Sequence, residues 1–384
     1  MKRYIALVDC DSFFVSCEQA ENPDLLGKPV CVLSNNGGCV VSRSKEAKQV
    51  GVKMGEPFFL AKKAYPDVIY IYGDLQKYSK FSKKVMSCLK NFSSDVEQYS
   101  IDEAFIDITG TKKLYKKNYI EIAKMIREKI FEETQIPVSI GLSVSKTLAK
   151  LASDKAKDTG GLYVIGSAKI NKILKETDID DVWGIGKKLQ IFFKRWGIYK
   201  CIGIINSSDE WLKKNLGIVA VRMKHELMGE VVSPVSNEVK LPKSIQNTSA
   251  LKSFTTDKAI LKQELSKHIH KSCVKIRKNG GTASIIGMML RTKDFQVFYR
   301  KRQLDYPTNF EIEVSNNVMA MLDEIYQEGT IYRSTGVMLE NIVYSDSRQQ
   351  SFFEDEKLVK NRNLAKAIDK IEDKFGSNTI RIGY

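Results

Sequence analysis

The sequence predicts an α+β chain folded as several domains, and three observations carry that expectation. At 384 residues the chain exceeds a single ordinary core, which points to two to four domains. Short apolar runs of strand length alternate with helical periods up to about residue 166, and residues 167–231 then turn mostly helical. After a stretch with two prolines at 232–243, the pattern reads βαββαβ. An apolar content of 43% and a charged content of 28% are those of a soluble globular protein.

The elements follow in order. The run Tyr4-Ile5-Ala6-Leu7-Val8 reads as a buried strand ending in Asp9-Cys10-Asp11, with a short helix at 13–19. A second strand lies at Val30-Cys31-Val32-Leu33, and a compact segment rich in Gly, Ser and Lys runs on to about Tyr72. Leu75, Tyr78, Phe81, Val85, Met86 and Leu89 recur with helical period, and a strand-turn-strand element then carries Asp102 and Glu103. An amphipathic helix at 119–132, a strand at 138–142 and a basic helix at 145–157 complete one α/β domain, with a smaller insertion between its first two strands.

The helical block centres on Val182-Trp183-Gly184-Ile185-Gly186-Lys187-Lys188. A G-I-G turn between helices is the signature of a helix-hairpin-helix, whose backbone N–H groups can bind a phosphate. An ordinary helix connection with two glycines has the same spelling. Residues 232–243 have no helical pattern and read as a tether. Beyond it come a strand at 249–254, a helix capped by Thr256 or Asp257 that stops at Asn279-Gly280-Gly281, and strands at 282–292 and 295–303. A second helix begins after Ser315, and the last strand spans 331–344. This order is a split βαβ sandwich with both helices on one face of the sheet and the other face free.

The formal charge of +15 favours a polyanionic partner through long-range attraction and counterion release. From Lys243 to Asp305 fourteen Lys or Arg face four Asp or Glu, so this segment alone supplies ten of the fifteen charges. That concentration suits a nucleic-acid-gripping surface, although a solvated helix face would also collect lysines. The seven cysteines include no C-x-x-C pair and read as reduced core residues, and the three histidines offer no zinc-ligand spacing. No signal peptide or membrane-spanning run is evident, so a cytoplasmic, nucleoid-associated protein is expected.

Chemistry concentrates in two acidic clusters 93 residues apart, Asp9-Cys10-Asp11 and Asp102-Glu103, each embedded in apolar residues. A buried ionised carboxylate is costly unless a cation pairs with it. Carboxylates at two strand ends suit a hard, oxygen-seeking ion such as Mg²⁺. Solvated turn residues are the plainer alternative.

These residues also carry a resemblance. D-x-D-x-F-F-x-x-x-E at Asp9–Glu18 and S-I-D-E-A at Ser100–Ala104 resemble the palm motifs of Y-family translesion DNA polymerases. Val32-Leu33-Ser34-Asn35-Asn36-Gly37-Gly38-Cys39-Val40 and Asp180-Asp181-Val182-Trp183-Gly184-Ile185-Gly186 are similar to the UmuC branch, which includes the catalytic subunit of bacterial DNA polymerase V. The resemblance spans essentially the whole chain. It implies a right-hand polymerase with a palm (1–28 and 73–166), short fingers (29–72) and a helix-hairpin-helix thumb (167–231). A tether (232–243), a DNA-binding split-βαβ little finger (244–345) and a C-terminal tail (346–384) follow.

The resemblance further implies a low-fidelity polymerase that adds deoxynucleotides to a primer across damaged template, using two Mg²⁺ ions. Asp9, Asp102 and Glu103 would be the catalytic acids and, with the Cys10 carbonyl, the metal ligands. Asp11 reads as a local hydrogen-bonding residue and Asp107 as structural. Phe14 falls at the steric gate that rejects a 2′-hydroxyl, with Phe13 in the core, and Val41 lies over the nascent base pair. Ser42, Lys45, Lys48 and Lys157 match nucleotide-binding positions, although Lys45 and Lys48 stand where the family usually has Tyr and Arg.

DNA contacts are expected from Gly184, Gly186, Lys187, Lys252, Arg291, Lys293, Arg300 and Arg302. Gln349-Gln350-Ser351-Phe352-Phe353 resembles the peptide that bacterial polymerases insert into a sliding clamp, with Gln349, Phe352 and Phe353 as its anchors. An amphipathic helix at about 363–375 suggests partner contacts, and a UmuD-like accessory subunit is a further partner the branch implies. Two other functions stay open at this point. They are a DNA-binding accessory protein without catalysis, and a nucleotide cyclase built on a similar palm.

Overall fold

A computed structural model describes residues 3–34, 37–238, 240–344, 356–376 and 379–380. The chain divides into two compact units, Met1–Glu238 and Val239–Tyr384.

The first unit is built on strands and helices in the order β1 (Ile5–Cys10), α1 (Phe13–Glu21), β2 (Val30–Leu33), β3 (Val40–Arg43), α2 (Lys45–Val50), α3 (Phe58–Ala64) and β4 (Ile69–Tyr72). It continues with α4 (Leu75–Lys90), β5 (Val96–Gln98), β6 (Glu103–Asp107), α5 (Thr111–Tyr115), α6 (Tyr119–Thr134), β7 (Val138–Ser143), α7 (Lys146–Ala156) and β8 (Leu162–Val164). One sheet has the order β5-β6-β1-β7-β8, with β1 antiparallel to both neighbours. The inserted segment forms its own sheet, β3-β2-β4, with a separate small core of Cys31, Leu33, Val40, Ala47, Val52, Ala61 and Val68.

Strand periodicity sorts the large sheet into two faces. Ala6, Val8, Ala104, Ile106, Ile140 and Leu142 face α4 and α6 and join one core with Tyr78, Val85, Ile122 and Ile126. Ile5, Leu7 and Phe105 point the other way, with Ala149 of α7. Asp9 and Glu103 share the parity of that second face, so the acids emerge on the side that α7 covers. Gly141 lets α7 lie this close. A Cβ there would meet the Ser153 amide nitrogen at 2.0 Å and the Ala149 carbonyl oxygen at 2.2 Å.

Residues 170–227 contribute helices α8 (Ile170–Glu176), α9 (Lys187–Arg195), α10 (Ile202–Asn206), α11 (Asp209–Leu216) and α12 (Ile218–Leu227) around Leu174, Phe193, Ile204 and Leu212. The buried Glu226 joins this block to α7. Its carboxylate accepts from the Thr147 N–H (3.2 Å), and its carbonyl accepts from the Ser145 hydroxyl (2.6 Å). The same carboxylate takes the N–H groups of Val232 and Ser233, both at 2.9 Å. Glu97 takes the Ser236 N–H at 2.9 Å, and Asn237 donates to the Ser94 carbonyl at 3.5 Å. The expected tether is therefore anchored over its first half, through the nearby Glu226 and the sequence-distant Glu97.

The second unit runs β9 (Ser244–Thr255), α13 (Lys258–Lys278), β10 (Gly281–Thr292), β11 (Val297–Thr308), α14 (Glu311–Ile325), β12 (Tyr332–Tyr344) and α15 (Glu356–Phe375). The βαββαβ order is as expected, with sheet order β11-β10-β12-β9. Helices α13 and α14 pack on one face through Leu265, Ile269, Val318 and Leu322 against Ile286, Met288, Val337 and Leu339. Helix α14 starts at Glu311, earlier than Ser315 suggested, because Glu311 is drawn into a cluster with Arg277 (3.0 Å) and His270 (3.1 Å). Helix α15 is also longer than expected and joins the same cluster, with Arg277 on Asp369 (2.7 Å) and His270 on Glu372 (3.1 Å).

The basic surplus is divided. Seven of the fourteen basic residues lie on α13, and Arg277 among them is consumed by the ion cluster. In β11, Arg300 and Arg302 stand opposite the core residues Met288 and Ile286, so they share the helix-bearing face. Both pair with Glu324 of α14. Strand alternation assigns the open face of this strand to Val297, Tyr299 and Lys301. All seven cysteines are free, and all but Cys39 are buried. Among the described residues, no helix is long and apolar enough to cross a membrane.

Candidate active site

The large sheet ends in a cavity of about 630 Å³ lined by both acidic clusters, the start of α1, strand β3 and the start of α2. Asp9 and Glu103 are directly opposed across β1 and β6. Asp9 is only 5% exposed. Asp102 sits in the turn before β6, where its carbonyl accepts the Cys10 N–H at 2.9 Å. Ser100 organises that turn. Its hydroxyl accepts from the N–H groups of Glu103 (3.0 Å) and Asp102 (3.3 Å) and donates to the Asp102 carboxylate (2.5 Å). This is the local logic of S-x-D-E: a serine hydroxyl two and three residues ahead of free amides makes a turn.

Burial, followed by the facing Asp9 carboxylate, raises the Glu103 carboxyl above its ordinary range, while Lys150 opposes the rise. Lys157 donates to Asp9 at 2.8 Å, and Lys150 donates to Glu103 and lies 3.6 Å from Asp9. Lys150 was not anticipated from the sequence. The signal was there, since residues 150, 154 and 157 share one helix face, and Asp154 lies 4.0 and 3.7 Å from the two lysines.

As they stand, no three His, Cys, Asp or Glu side chains among the described residues form a metal cage. The donor chemistry nevertheless fits a hard divalent ion. Asp9, Asp102 and Glu103 share one cavity, and Asp9 and Glu103 carry ammonium groups as cationic partners. Asp11 lines the same cavity but accepts a hydrogen bond from Ser139 at 2.8 Å, as its reading as a local hydrogen-bonding residue anticipated. Asp107 lies away from the cavity and pairs with Arg3 at 2.7 Å.

The residues expected to bind a nucleotide come together around the same opening. Phe14, Val41, Ser42, Lys45, Lys48 and Lys157 all line it, together with Arg43 and Met54, which sequence reasoning did not single out. Phe14 is half-buried and Phe13 is in the core. Ser42 is buried, and its hydroxyl donates to the Ser12 carbonyl (3.1 Å) and accepts from the Val15 N–H (3.4 Å). It thus staples β3 to the start of α1. Ser12, just before α1, has left-handed backbone angles (φ 47°) and receives a hydrogen bond from the Lys48 ammonium at 3.2 Å. A non-glycine residue in that region is strained, a feature that clusters at functional sites.

The remaining expected contacts lie elsewhere. Gly184, with φ +90°, and Gly186, at the N-cap of α9, precede Lys187 in the helical block. Trp183, beside them, packs edge-on against Tyr99 (5.3 Å) and donates to its hydroxyl (3.1 Å). In the second unit Lys252 and Lys293 are exposed, and Arg291 is on the open face of the sheet. Gln349, Phe352 and Phe353 lie outside the described residues.

Comparison with known proteins agrees with this arrangement. Residues 8–154 match the impB/mucB/samB family, and residues 242–352 match its C-terminal domain. Protein UmuC of Salmonella typhimurium is 29% identical, covering 98% of this chain and 92% of its own length. DNA polymerase IV of Brucella melitensis is 30% identical, covering 99% and 85%. Among solved structures, the Y-family DNA polymerase chimera Dbh-Dpo4(243-245)-Dbh aligns with a TM-score of 0.75 at 29% identity, over 89% of this chain and 100% of that one. The insertion ternary complex of Dbh DNA polymerase aligns with a TM-score of 0.61 at 28% identity, over the same shares. With paired acids at the mouth of its sheet and family matches in both units, the chain belongs to the impB/mucB/samB family and is a UmuC-like DNA polymerase of the Y family.

Proposed function

We propose that the cavity beside Asp9 and Glu103 is where this translesion polymerase joins a deoxynucleotide to a primer end. The observation that carries the reading is the opposed pair Asp9 and Glu103, with Asp102 beside it, in one cavity with Phe14, Lys48 and Lys157. Asp9, Asp102 and Glu103, with the Cys10 carbonyl, would hold two Mg²⁺ ions. Those ions would supply Lewis acidity to the primer hydroxyl and charge neutralisation to the departing pyrophosphate.

The chain's own residues do the rest. Lys48, Lys45 and Lys157 balance triphosphate charge, and Lys150 offsets the cost of burying Glu103. The Phe14 ring leaves no room for a 2′-hydroxyl, and Val41 covers the base pair with a small aliphatic surface. Ser42 acts through position, fixing β3 against α1, not through a nucleotide contact of its hydroxyl.

Primed template DNA and deoxynucleoside triphosphates are the substrates, in keeping with the ternary complex of a structural relative. Gly184, Gly186 and Lys187 would receive a DNA phosphate at the start of α9, with Lys252, Arg291 and Lys293 gripping the duplex from the second unit. Gln349, Phe352 and Phe353 would engage a sliding clamp, and a UmuD-like subunit would complete the assembly. The short inserted sheet offers few surfaces that check base-pair geometry, which suits low fidelity.

The test is primer extension with Mg²⁺ and four deoxynucleotides, comparing wild type with an Asp102→Ala, Glu103→Ala variant. Extension by wild type alone is expected. DNA binding without extension by either protein would leave an accessory role, and a cyclic product made without template would indicate a cyclase.

A further inference from the structure

Beneath the cavity lies a buried network that the proposed chemistry does not use. Phe14 and Glu18 are one turn apart on α1 and both face α4. Between them stands Tyr78, which is fully buried. Its ring stacks on Phe14, with centroids 4.5 Å apart and planes 21° from parallel. Its hydroxyl donates to one Glu18 carboxylate oxygen at 2.7 Å. The other oxygen receives the Lys77 ammonium at 2.7 Å, and Lys77 also reaches Glu21 at 3.1 Å. Phe14 lines the cavity, whereas Tyr78 and Glu18 lie below it.

We infer that Glu18 is a positioning residue for sugar selection, holding Tyr78 as a fixed shelf that sets the height of the Phe14 ring. Phe14 has no polar atom to orient it, and stacking alone lets one ring slide over another. Tyr78 removes that freedom because its far end is tied by a charge-assisted hydrogen bond in a dry environment. Burial, and then Glu18, raise the Tyr78 phenol well above its ordinary range, so it remains a donor. Lys77 gives the buried carboxylate a cationic partner and holds its second oxygen in place. A ring that rejects a 2′-hydroxyl by contact must be fixed to within a fraction of an ångström, and Glu18, Tyr78 and Phe14 form a continuous stack that does this.

The inference rests on the reading of Phe14 as the sugar gate, so the experiment must separate the two. The readout is kcat/KM for a deoxynucleotide divided by that for the matching ribonucleotide, a ratio from which any loss of folded enzyme cancels. Phe14→Ala, Glu18→Ala, Glu18→Gln and Tyr78→Phe are compared on one primed template. Phe14→Ala should collapse the ratio. Glu18→Ala and Tyr78→Phe should lower it by about tenfold, the scale of one charge-assisted hydrogen bond. Glu18→Gln, which still accepts from Tyr78, should recover most of the ratio.

Adding Glu18→Ala to Phe14→Ala should cause no further loss, because there is no ring left to position. If Phe14→Ala leaves sugar selection intact, the gate reading itself fails. If Phe14→Ala abolishes selection while Glu18→Ala and Tyr78→Phe keep the wild-type ratio, the gate stands and the positioning role is overturned. Tyr78→Phe fills the same volume, so the question remains answerable should Glu18→Ala fail to fold.

Discussion

Replacing Gly141 with Ala adds one methyl group and should disable the enzyme from beneath its active site. Gly141 lies in β7 under α7, and the new Cβ would sit 2.0 Å from one backbone atom of that helix and 2.2 Å from another. Neither atom can rotate away as a side chain would. Restoring an ordinary contact of 3.4 Å requires α7 to lift by about 1.4 Å, or the strand to sink by as much. Overpacking of this kind costs about 1–3 kcal/mol. For a unit of this size, that lowers Tm by roughly 3–10 °C.

The functional effect should be larger. Lys150 and Lys157 ride on α7 and its C-cap, so the lift carries both away from Asp9 and Glu103. A displacement of about 1 Å at such groups typically lowers turnover by about a hundredfold. Calorimetry would report the stability change, and single-nucleotide incorporation at saturating primed template, well below the new Tm, would report the rate. A lowered Tm with wild-type incorporation would show that the height of α7 does not matter to the chemistry. A wild-type Tm would show that the helix yields without resistance.

Three other outcomes are expected. Arg277→Met should cost about 3–5 kcal/mol by leaving the buried Glu311 and the half-buried Asp369 without their guanidinium, and should loosen α15, seen as faster amide exchange across 363–375; unchanged protection would refute it. His268 is buried, and burial lowers its pKa from the ordinary 6.5 to about 4. The unfolded chain therefore takes up the proton first, and stability should fall by up to about 3 kcal/mol as pH drops through that window. His268→Gln should flatten this part of the stability curve relative to wild type. Finally, Lys252→Glu and Arg291→Glu should each reduce the salt slope of DNA affinity by about one, whereas Arg302→Ala, already engaged by Glu324, should not. Equal effects from all three would remove the distinction between the two faces.

Much of the fold was legible because periodicity reports which side of an element is apolar. The βαββαβ order and the helix at Leu75–Lys90 both followed from it. Asp9 and Glu103 were legible as carboxylates at the ends of apolar strands, and their parity with Leu7 and Phe105 explains why they meet under α7. What escaped detection depends on partners far away in sequence. Helix α14 begins at Glu311 because Arg277 and His270 are there to receive it, and Ser315, which looks like a cap, is buried in the helix interior. Arg300 and Arg302 sit on an edge strand whose two faces are both charged, so only the register with Met288 and Ile286 assigns their side. Ser42 lines the cavity as the resemblance implies, and the bonds of its hydroxyl to the Ser12 carbonyl and the Val15 N–H could not be read from the sequence.

The anchoring of residues 232–237 has a mechanical consequence. A pull on the chain leaving the first unit is borne first by Glu97 and Glu226, whose carboxylates hold three backbone amides of that segment. Glu226 also holds the first turn of α7, and Glu97 pairs with Lys146 at the start of that helix. At the other end, the Pro242 carbonyl accepts from the Tyr344 hydroxyl at 2.5 Å, and the Lys243 carbonyl accepts from the Ile342 N–H at 3.1 Å. A pull on residues 232–237 is therefore passed, through the same two glutamates, to the N-terminal end of the helix that carries Lys150.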